Sequence, residues 1–348
     1  MKASIVCSFI AVVITLSTSL PARERTGAES PRTRRLALAP APLDAAAQNH
    51  TLFAGPEDRT DGDGAAHYDK AARALPTNLD PMRIRDWLDA PLDSFPEADA
   101  ERVLQKAQVS LQQLRQGAAC KDCTWPPFTP GTMPANLREY RALIYLLCLE
   151  TRLQMVQGQY DEALAAIQTG LAAAKHVGEA PTLVQGNVGV AMAAMTLRCV
   201  EDMVQTANSP NLHAALEDVP EPLIDLEIPI AAELNSLASN KQYNPLARTM
   251  MRRQMEQAYT RARQLMYRLD GTVAALQGIE GLRHYAATHA GQLPAQLSDI
   301  TEVVVPDDPA SGKPFSYRRE DAKAVLDAAA PKGGRPRDAV RYEITVAR

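Results

Sequence analysis

Apolar side chains recur every three to four residues through the middle of the sequence, and this spacing constrains the fold more than any other feature. The stretches that carry it are residues 136–157, 160–176, 182–207 and 246–290. Positions three and four apart share one face of an α-helix, so each stretch predicts an amphipathic helix that buries one side. Composition agrees, because Ala, Leu and Met are plentiful and aromatic residues are only 5% of the chain.

The breaks between these stretches predict how the helices are arranged. Gly158 ends the first stretch just before the second begins, and so short a break forces an antiparallel hairpin. In the last stretch the apolar positions change phase near Gly278 and Gly281, which predicts a kink or break. Its Arg residues, among them Arg252 and Arg253, scatter around the helix axis. We therefore expect a core-facing Met stripe with solvated Arg, rather than a basic face for a membrane surface or an acidic partner.

The N-terminal segment is typical of an export signal. One Lys precedes an apolar run over residues 3–20, and small residues follow, which predicts a signal peptide over residues 1–22. The alternative is an uncleaved anchor, because the run nearly reaches the ~20 residues of a membrane helix. Both interpretations place the rest of the chain outside the cytoplasm. Residues 23–65 are rich in Pro and Ala and lack an apolar period, which predicts a disordered spacer.

Cysteine spacing predicts a small disulfide between Cys120 and Cys123. A zinc site would need a second pair, and a covalent haem would need His where Thr124 stands. Outside the cytoplasm such a pair is expected to pin a loop, with a thiol redox site as the alternative. Cys148 and Cys199 lie on apolar helix faces, where we expect buried thiols or a second bridge between packed helices.

The turn into the second helical stretch resembles the second helix of a tetratricopeptide repeat. In that family Gly and Tyr shape the turn and a small residue permits close helix approach, positions held here by Gly158, Tyr160 and Ala163. The sequence departs from the family at Gly170, where Ala is usual, and at Lys175, which replaces the closing Pro. A single such unit implies a repeat-like hairpin and not an array.

The segment VPDDPASGKPFSYRR, residues 305–319, contains Ser-Gly-Lys and invites a phosphate-loop interpretation. That loop would need Gly where Asp307 stands and Ser or Thr where Pro314 stands, so its tight turn and magnesium hydroxyl are missing. Local rules instead favour a turn around Asp308 and a strand around Tyr317.

A longer segment around it resembles the globular head of type II secretion pseudopilins. The matching residues, in order, are Tyr285, Gly291, Leu293, Pro294, Leu297, Pro306, Asp308, Pro309, Gly312, Pro314, Phe315 and Tyr317. The resemblance implies a helix, a short second helix, a Pro-x-Asp-Pro turn and a strand, and local patterns add strands over residues 324–326 and 340–346. Pseudopilins also begin with a short leader and a Glu-bearing apolar helix that this sequence lacks, so fibre assembly is not implied.

No residues are spaced for metal binding or catalysis. His284 and His289 stand five apart, about 140° around a helix, whereas two ligands on one helix are three or four apart. A calcium loop starting at Asp61 would need Glu where Ala72 stands. We therefore expect no metal, no cofactor and no catalytic residues.

These patterns predict a mainly α fold of antiparallel, repeat-like helical hairpins. A long helix and a small C-terminal α+β module with about three short strands follow. Residues 66–245 are expected to form the helical domain, and residues 246–348 the long helix with its pseudopilin-head-like module. The whole chain also resembles a group of exported bacterial proteins that share a tandem helical body, a Trp-Pro loop and a small αβ tail. That resemblance supplies a layout and no activity.

The function that fits these features is a non-catalytic interaction or scaffold protein in the periplasm or outside the cell, with a protein partner in the envelope. A net charge of −4 gives no field that would attract nucleic acid. Membrane contact is expected only through residues 3–20, if they stay uncleaved. The alternatives are an envelope hydrolase, with a site near the loop Cys120–Phe128 and His284, and a thiol redox protein that uses Cys120 and Cys123.

Overall fold

The computed structural model of the chain describes residues 31–44, 49–129, 132–241 and 243–347, so the predicted signal peptide lies outside the described residues. Nine α-helices lie within those ranges: α1 Gly64–Arg73, α2 Pro81–Asp89, α3 Glu97–Ala118, α4 Leu137–Val156, α5 Tyr160–Gly178, α6 Leu183–Val204, α7 His213–Glu217, α8 Glu227–Ser239 and α9 Pro245–Thr288. Several begin at side chains that accept a first-turn N–H, such as Asp80 before α2 and Asn244 before α9.

Six strands accompany the helices in the described ranges: β1 Arg34–Leu38, β2 Thr60–Asp63, β3 Cys120–Asp122, β4 Ser316–Glu320, β5 Lys323–Ala328 and β6 Val340–Val346. Four of them form a sheet in the order β1-β6-β5-β4, in which β1 is parallel to β6 and the other pairs are antiparallel. β2 and β3 form a separate parallel pair. The prediction of a mainly α-helical protein with a small C-terminal α+β module is confirmed.

Small residues let the helices of the body approach closely. A Cβ built on Gly189 of α6 would lie 2.3 Å from the Cα of Gly178 in α5, so neither position accepts a side chain. Gly158, between α4 and α5, has φ 72°, in the left-handed region that glycine adopts at little cost. Ala163 is fully buried one turn further on. The sequence therefore places its smallest residues where the hairpin needs them.

α9 is the central element and runs unbroken for 44 residues. Its second half is buried nearly all round, because α6 and α7 pack on it and the C-terminal module contacts it as well. Of the kink or break predicted near Gly278 and Gly281, the break is wrong, since the helix continues through both. These glycines instead leave room for Val305 and Val303, whose side chains would lie 3.4 and 3.3 Å from an added Cβ.

The prediction that residues 23–65 form a disordered spacer is wrong for part of that segment. β1 pairs with β6 so that Leu36 lies beside Ile344, and Leu36 and Leu38 are both buried. Residues 39–44 then cross the helical body, and we call them the strap. The prediction failed because five residues of strand give little local signal and their partner is 308 residues further along the chain.

Leu38→Ala is expected to lower the free energy of unfolding by about 2–5 kcal/mol, because it opens a cavity under the sheet. Arg35→Ala is the matched control, since Arg35 lies on the exposed side of β1 and its ion pair with Glu343 is solvent-exposed. Urea unfolding followed by circular dichroism measures both changes. If both substitutions had equal and negligible effects on the free energy of unfolding, β1 would belong to a disordered spacer, as the sequence predicts.

α6 is the one helix in the described ranges with the length and hydropathy to cross a membrane. Its most apolar window has a mean hydropathy of 1.3, and 61% of that window is buried inside the protein. That burial is what a core helix shows, since α6 packs against α4, α5 and α9.

Candidate functional site

A cavity of about 480 Å³ opens where three segments meet on the helical body. Its walls are the strap, the turn at residues 158–162 between α4 and α5, and the loop at residues 208–211 after α6. We call it the strap cavity. Gly158 and Tyr160, two of the residues that resemble a tetratricopeptide turn, line it. Loops that converge on a concavity in this way are common in ligand sites.

A buried ion pair holds the strap cavity together. Glu280 and Arg283 lie one turn apart on α9, both side chains are 0% exposed, and their charged atoms are 2.9 Å apart. Arg283 also donates to the carbonyl oxygens of Ala39 in the strap and of Ser209 and Pro210 in the loop, at 2.9–3.3 Å. Burial raises the pKa of the Glu280 carboxyl, and the guanidinium opposes that rise. One guanidinium therefore fixes two of the three walls.

Asn211 and His284 fasten the same strap. The Asn211 side-chain amide donates to the carbonyl oxygens of Ala41 and Glu280, each at 3.1 Å. The backbone N–H of Leu43 donates to Nδ1 of His284 at 3.1 Å. His284, which the sequence marks as a hydrolase candidate, is therefore an anchor for backbone, with that nitrogen already engaged.

The polar side chains that line the strap cavity include those of His50, Tyr160, Asp161 and Glu162. The Tyr160 hydroxyl donates to the carbonyl of Ala207 at 2.7 Å. Asp161 and Glu162 are exposed in the first turn of α5, where carboxylates favour the positive end of the helix. Over the described ranges, no three His, Cys, Asp or Glu residues gather in a cluster that could hold a metal ion. What the cavity offers a ligand is shape and hydrogen-bonding groups.

The loop after β3 docks on a cluster of aromatic rings. Trp125 stacks on Tyr68 with ring centroids 6.2 Å apart, and its Nε1 donates to the carbonyl of His176 at 2.8 Å. Tyr140 packs edge-on against both rings. The Tyr68 hydroxyl and Nδ1 of His176 share a hydrogen bond of 2.7 Å, and burial lowers the pKa of that imidazole to about 4, so the ring stays neutral. The cluster fixes the loop by packing and paired polar groups.

The two halves of the hydrolase site that the sequence proposes are held by different parts of the fold. The loop Cys120–Phe128 rests against α1 and the end of α5, whereas His284 lies in α9 under the strap. No hydrogen bond or ion pair in the described part of the chain joins them. The structure does not bring these residues together.

Cys120 and Cys123, like Cys148 and Cys199, are thiols in the structure, and the disulfide predicted between Cys120 and Cys123 stays a prediction. Cys120 lies in β3, where its Sγ donates to the carbonyl of Gln116 at 3.2 Å. Burial raises the pKa of both thiols, and the charge of Asp63 adds to that rise. A thiol ready for exchange needs the opposite shift, because the thiolate is the nucleophile. These shifts oppose the redox alternative.

The residues of the C-terminal segment shape turns within their own module. Gly291 and Gly312 have φ 76° and 62°, as the ends of a helix and of a tight turn require. The buried Asp308 carboxylate accepts from a backbone N–H and a hydroxyl within the turn that follows it. Tyr317 lies in β4 and donates to the carbonyl of Pro294 at 3.0 Å. This segment therefore has a structural role, in agreement with its lack of the residues that a phosphate loop needs.

The first half of α9 leaves one of its faces uncovered. Four residues at intervals of three and four are exposed on it: Leu246, Met250, Arg253 and Gln257. We call this set the open face; Leu246 is 70% exposed and Met250 is 56% exposed. On the opposite side of α9, Tyr259 donates to Glu233 of α8 at 3.3 Å. Arg261, one turn beyond Gln257 on the same side as the open face, pairs with Asp338 of the C-terminal module. The open face therefore ends where this side of α9 gains a neighbour within the described residues.

Sequence reasoning missed the buried carboxylates. Burial raises the pKa of Asp202 to about 6, although Arg152 lies 3.5 Å away. Burial also raises the pKa of Asp270 to about 7, where the carboxylate accepts from the backbone N–H of Leu223 at 2.9 Å. A helical-wheel signal was present, because Asp270 follows the stripe residue Met266 by four positions. Both acids lie away from the strap cavity.

Comparison of this chain with protein-family models, with curated proteins and with solved structures finds no match, so its geometry is the evidence for its function.

Proposed function

We propose that this chain is an exported, non-catalytic interaction or scaffold protein of the cell envelope that binds a partner protein on the open face. The observation that carries the proposal is the exposure of Leu246 and Met250 on one side of a helix that is packed further along. Large apolar side chains left side by side in water are a common mark of a binding surface. Export rests on the apolar run over residues 3–20.

The chemistry of the open face describes the partner. Leu246 and Met250 need an apolar patch, because burying them releases water from their side chains. Arg253 lies on the open face itself, is exposed and makes no ion pair in the described part of the chain. It needs a carboxylate beside that patch. The partner is therefore a protein surface with an apolar centre and a carboxylate at its edge.

A lipid surface fits the open face less well. Helices that lie in a membrane interface present a broad apolar face with several large side chains. The open face presents two, and Gln257 continues the same side of the helix as a polar residue. A protein partner therefore suits these residues better than a bilayer does.

The double variant Leu246→Asp with Met250→Asp is expected to weaken partner binding by about tenfold or more, since each buried apolar side chain contributes roughly 1.5–3 kcal/mol. A photoreactive residue at position 253, in the full-length chain within living cells, identifies the partner. Purified proteins then give the Kd. We expect the Kd to rise with salt, because Arg253 pairs with a carboxylate of the partner.

Val109→Asp is the matched control, because Val109 is 62% exposed on α3, away from the open face. It is expected to leave binding unchanged, and both variants should unfold at the wild-type urea concentration. Equal weakening by the two variants would contradict the proposal. So would crosslinks that reach only lipid, or substrate turnover in a hydrolase panel without any crosslinked protein.

A further inference from the structure

Cys148 of α4 and Cys199 of α6 face each other across a helix interface. Both side chains are buried. The Cys148 Sγ donates to the carbonyl of Met195, one turn before Cys199 on α6, at 3.8 Å. The Cys148 thiol and burial both raise the pKa of Cys199. The two side chains therefore occupy the same stretch of the interface between helices that pack directly together.

The residues one turn further along α4 and α6 support this alignment of the two helices. Arg152 follows Cys148 by one turn and Asp202 follows Cys199 by one turn, and their side chains form an ion pair at 3.5 Å. Arg152 is also held by the carbonyl oxygens of Leu88 and Ala90. These contacts fix how α4 sits on α6, so they hold the two cysteines at the same level of the interface.

We infer that Cys148 and Cys199 form an interhelical disulfide when the chain folds in an oxidising compartment, a proposal that rests on the export proposed above. The oxidant is a low-molecular-weight disulfide such as oxidised glutathione. One cysteine thiolate attacks it, one glutathione leaves as a thiol, and a mixed disulfide remains. The second cysteine thiolate then attacks the mixed disulfide, the second glutathione leaves, and the Sγ–Sγ bond forms. The two cysteine protons end on the two released glutathione thiols.

Burial decides when this bond forms. In the packed protein both thiols are covered, so an oxidant reaches them only before α4 closes on α6 or during local opening. The bridge therefore forms during folding. Once formed, it closes a loop of about fifty residues, which removes far more freedom from the unfolded chain than a Cys120–Cys123 bridge would.

The test is oxidative refolding of the full-length chain in a glutathione redox buffer. Free thiols are then alkylated, and peptides are mapped without reduction. We expect one linked pair, Cys148 with Cys199, and an unfolding midpoint in urea that falls when the bridge is reduced. Native reduced protein should form the same bridge more slowly, on the order of tenfold or more.

The variants separate this bridge from the other cysteines. Cys148→Ala and Cys199→Ala should each abolish the linked peptide, whereas the double variant Cys120→Ala with Cys123→Ala should keep it. Alkylation of both Cys148 and Cys199 after oxidative refolding would overturn the inference, as would a bridge from either one to Cys120 or Cys123. Cell fractionation tests export separately. A periplasmic chain with free Cys148 and Cys199 overturns the bridge alone, and a cytoplasmic chain that forms the bridge on refolding overturns export alone.

Discussion

Replacing Arg283 with Met is expected to lower the free energy of unfolding by about 3–5 kcal/mol. Met keeps most of the side-chain volume, so the loss comes from charge and hydrogen bonds rather than from a cavity. The Glu280 carboxylate would stay buried without a cation, and the carbonyl oxygens of Ala39 and Ser209 would lose their donor. Urea unfolding followed by circular dichroism measures the change.

The matched control is the double variant Glu280→Gln with Arg283→Met. It removes both charges together, so it is expected to be more stable than the single variant, by about 1–3 kcal/mol. Lowering the pH should reduce the difference in free energy of unfolding between the single and the double variant, because protonation of Glu280 in the single variant also removes the unpaired charge. A single variant that loses less than about 1 kcal/mol would show that the pair does not hold the strap.

Asp270→Asn is expected to raise the free energy of unfolding at pH 8 and to leave it nearly unchanged at pH 4. The pKa of Asp270 is about 7 in the folded protein against 3.8 for a free carboxyl. Between those values the folded chain keeps a proton that the unfolded chain releases, so this group's stability contribution falls by about 1.4 kcal/mol per pH unit as pH rises. The full effect at pH 8 is roughly 4 kcal/mol. Asn retains an oxygen that accepts from Leu223.

The comparison between variant and wild type is needed because other groups titrate in the same range. The His176 imidazole, whose pKa is lowered from 6.5 to about 4, has the opposite sign, since the unfolded chain there binds the extra proton. Subtracting the two stability curves removes that contribution and isolates Asp270. The exposed Asp93→Asn is the control for removing a carboxylate outside the core. An Asp270→Asn difference that is the same at both pH values would contradict the buried carboxyl.

Helix positions were predictable from sequence because periodicity is a local property. The apolar stripe of α9, the turn at Gly158 and the strand at Tyr317 all follow from spacing within a few residues. The same argument failed at Gly278 and Gly281, where glycine indicates a break when read locally. In the structure these glycines leave space for Val303 and Val305 to pack against α9, and a contact with so distant a segment leaves no local pattern in the sequence.

The strap and the buried charges were not predictable for a related reason. Glu280 and Arg283 are spaced like an ordinary solvated pair on a helix surface, and the strap and the loop at residues 208–211 cover them. His284 looks like a free imidazole in the sequence and is an anchor in the fold. The open face at Leu246 and Met250 was not predicted. Helical spacing shows which apolar residues share a side of the helix, but it does not show whether another element packs on that side.

The pairing of β1 with β6 has a consequence for how the molecule is made. A ribosome releases the chain from its N-terminal end, and a translocation channel that admits the signal end first does the same. β1 must therefore wait, unpaired, until β6 has emerged. Folding of the sheet therefore waits for synthesis of the 308 residues that separate paired positions such as Arg35 and Glu343.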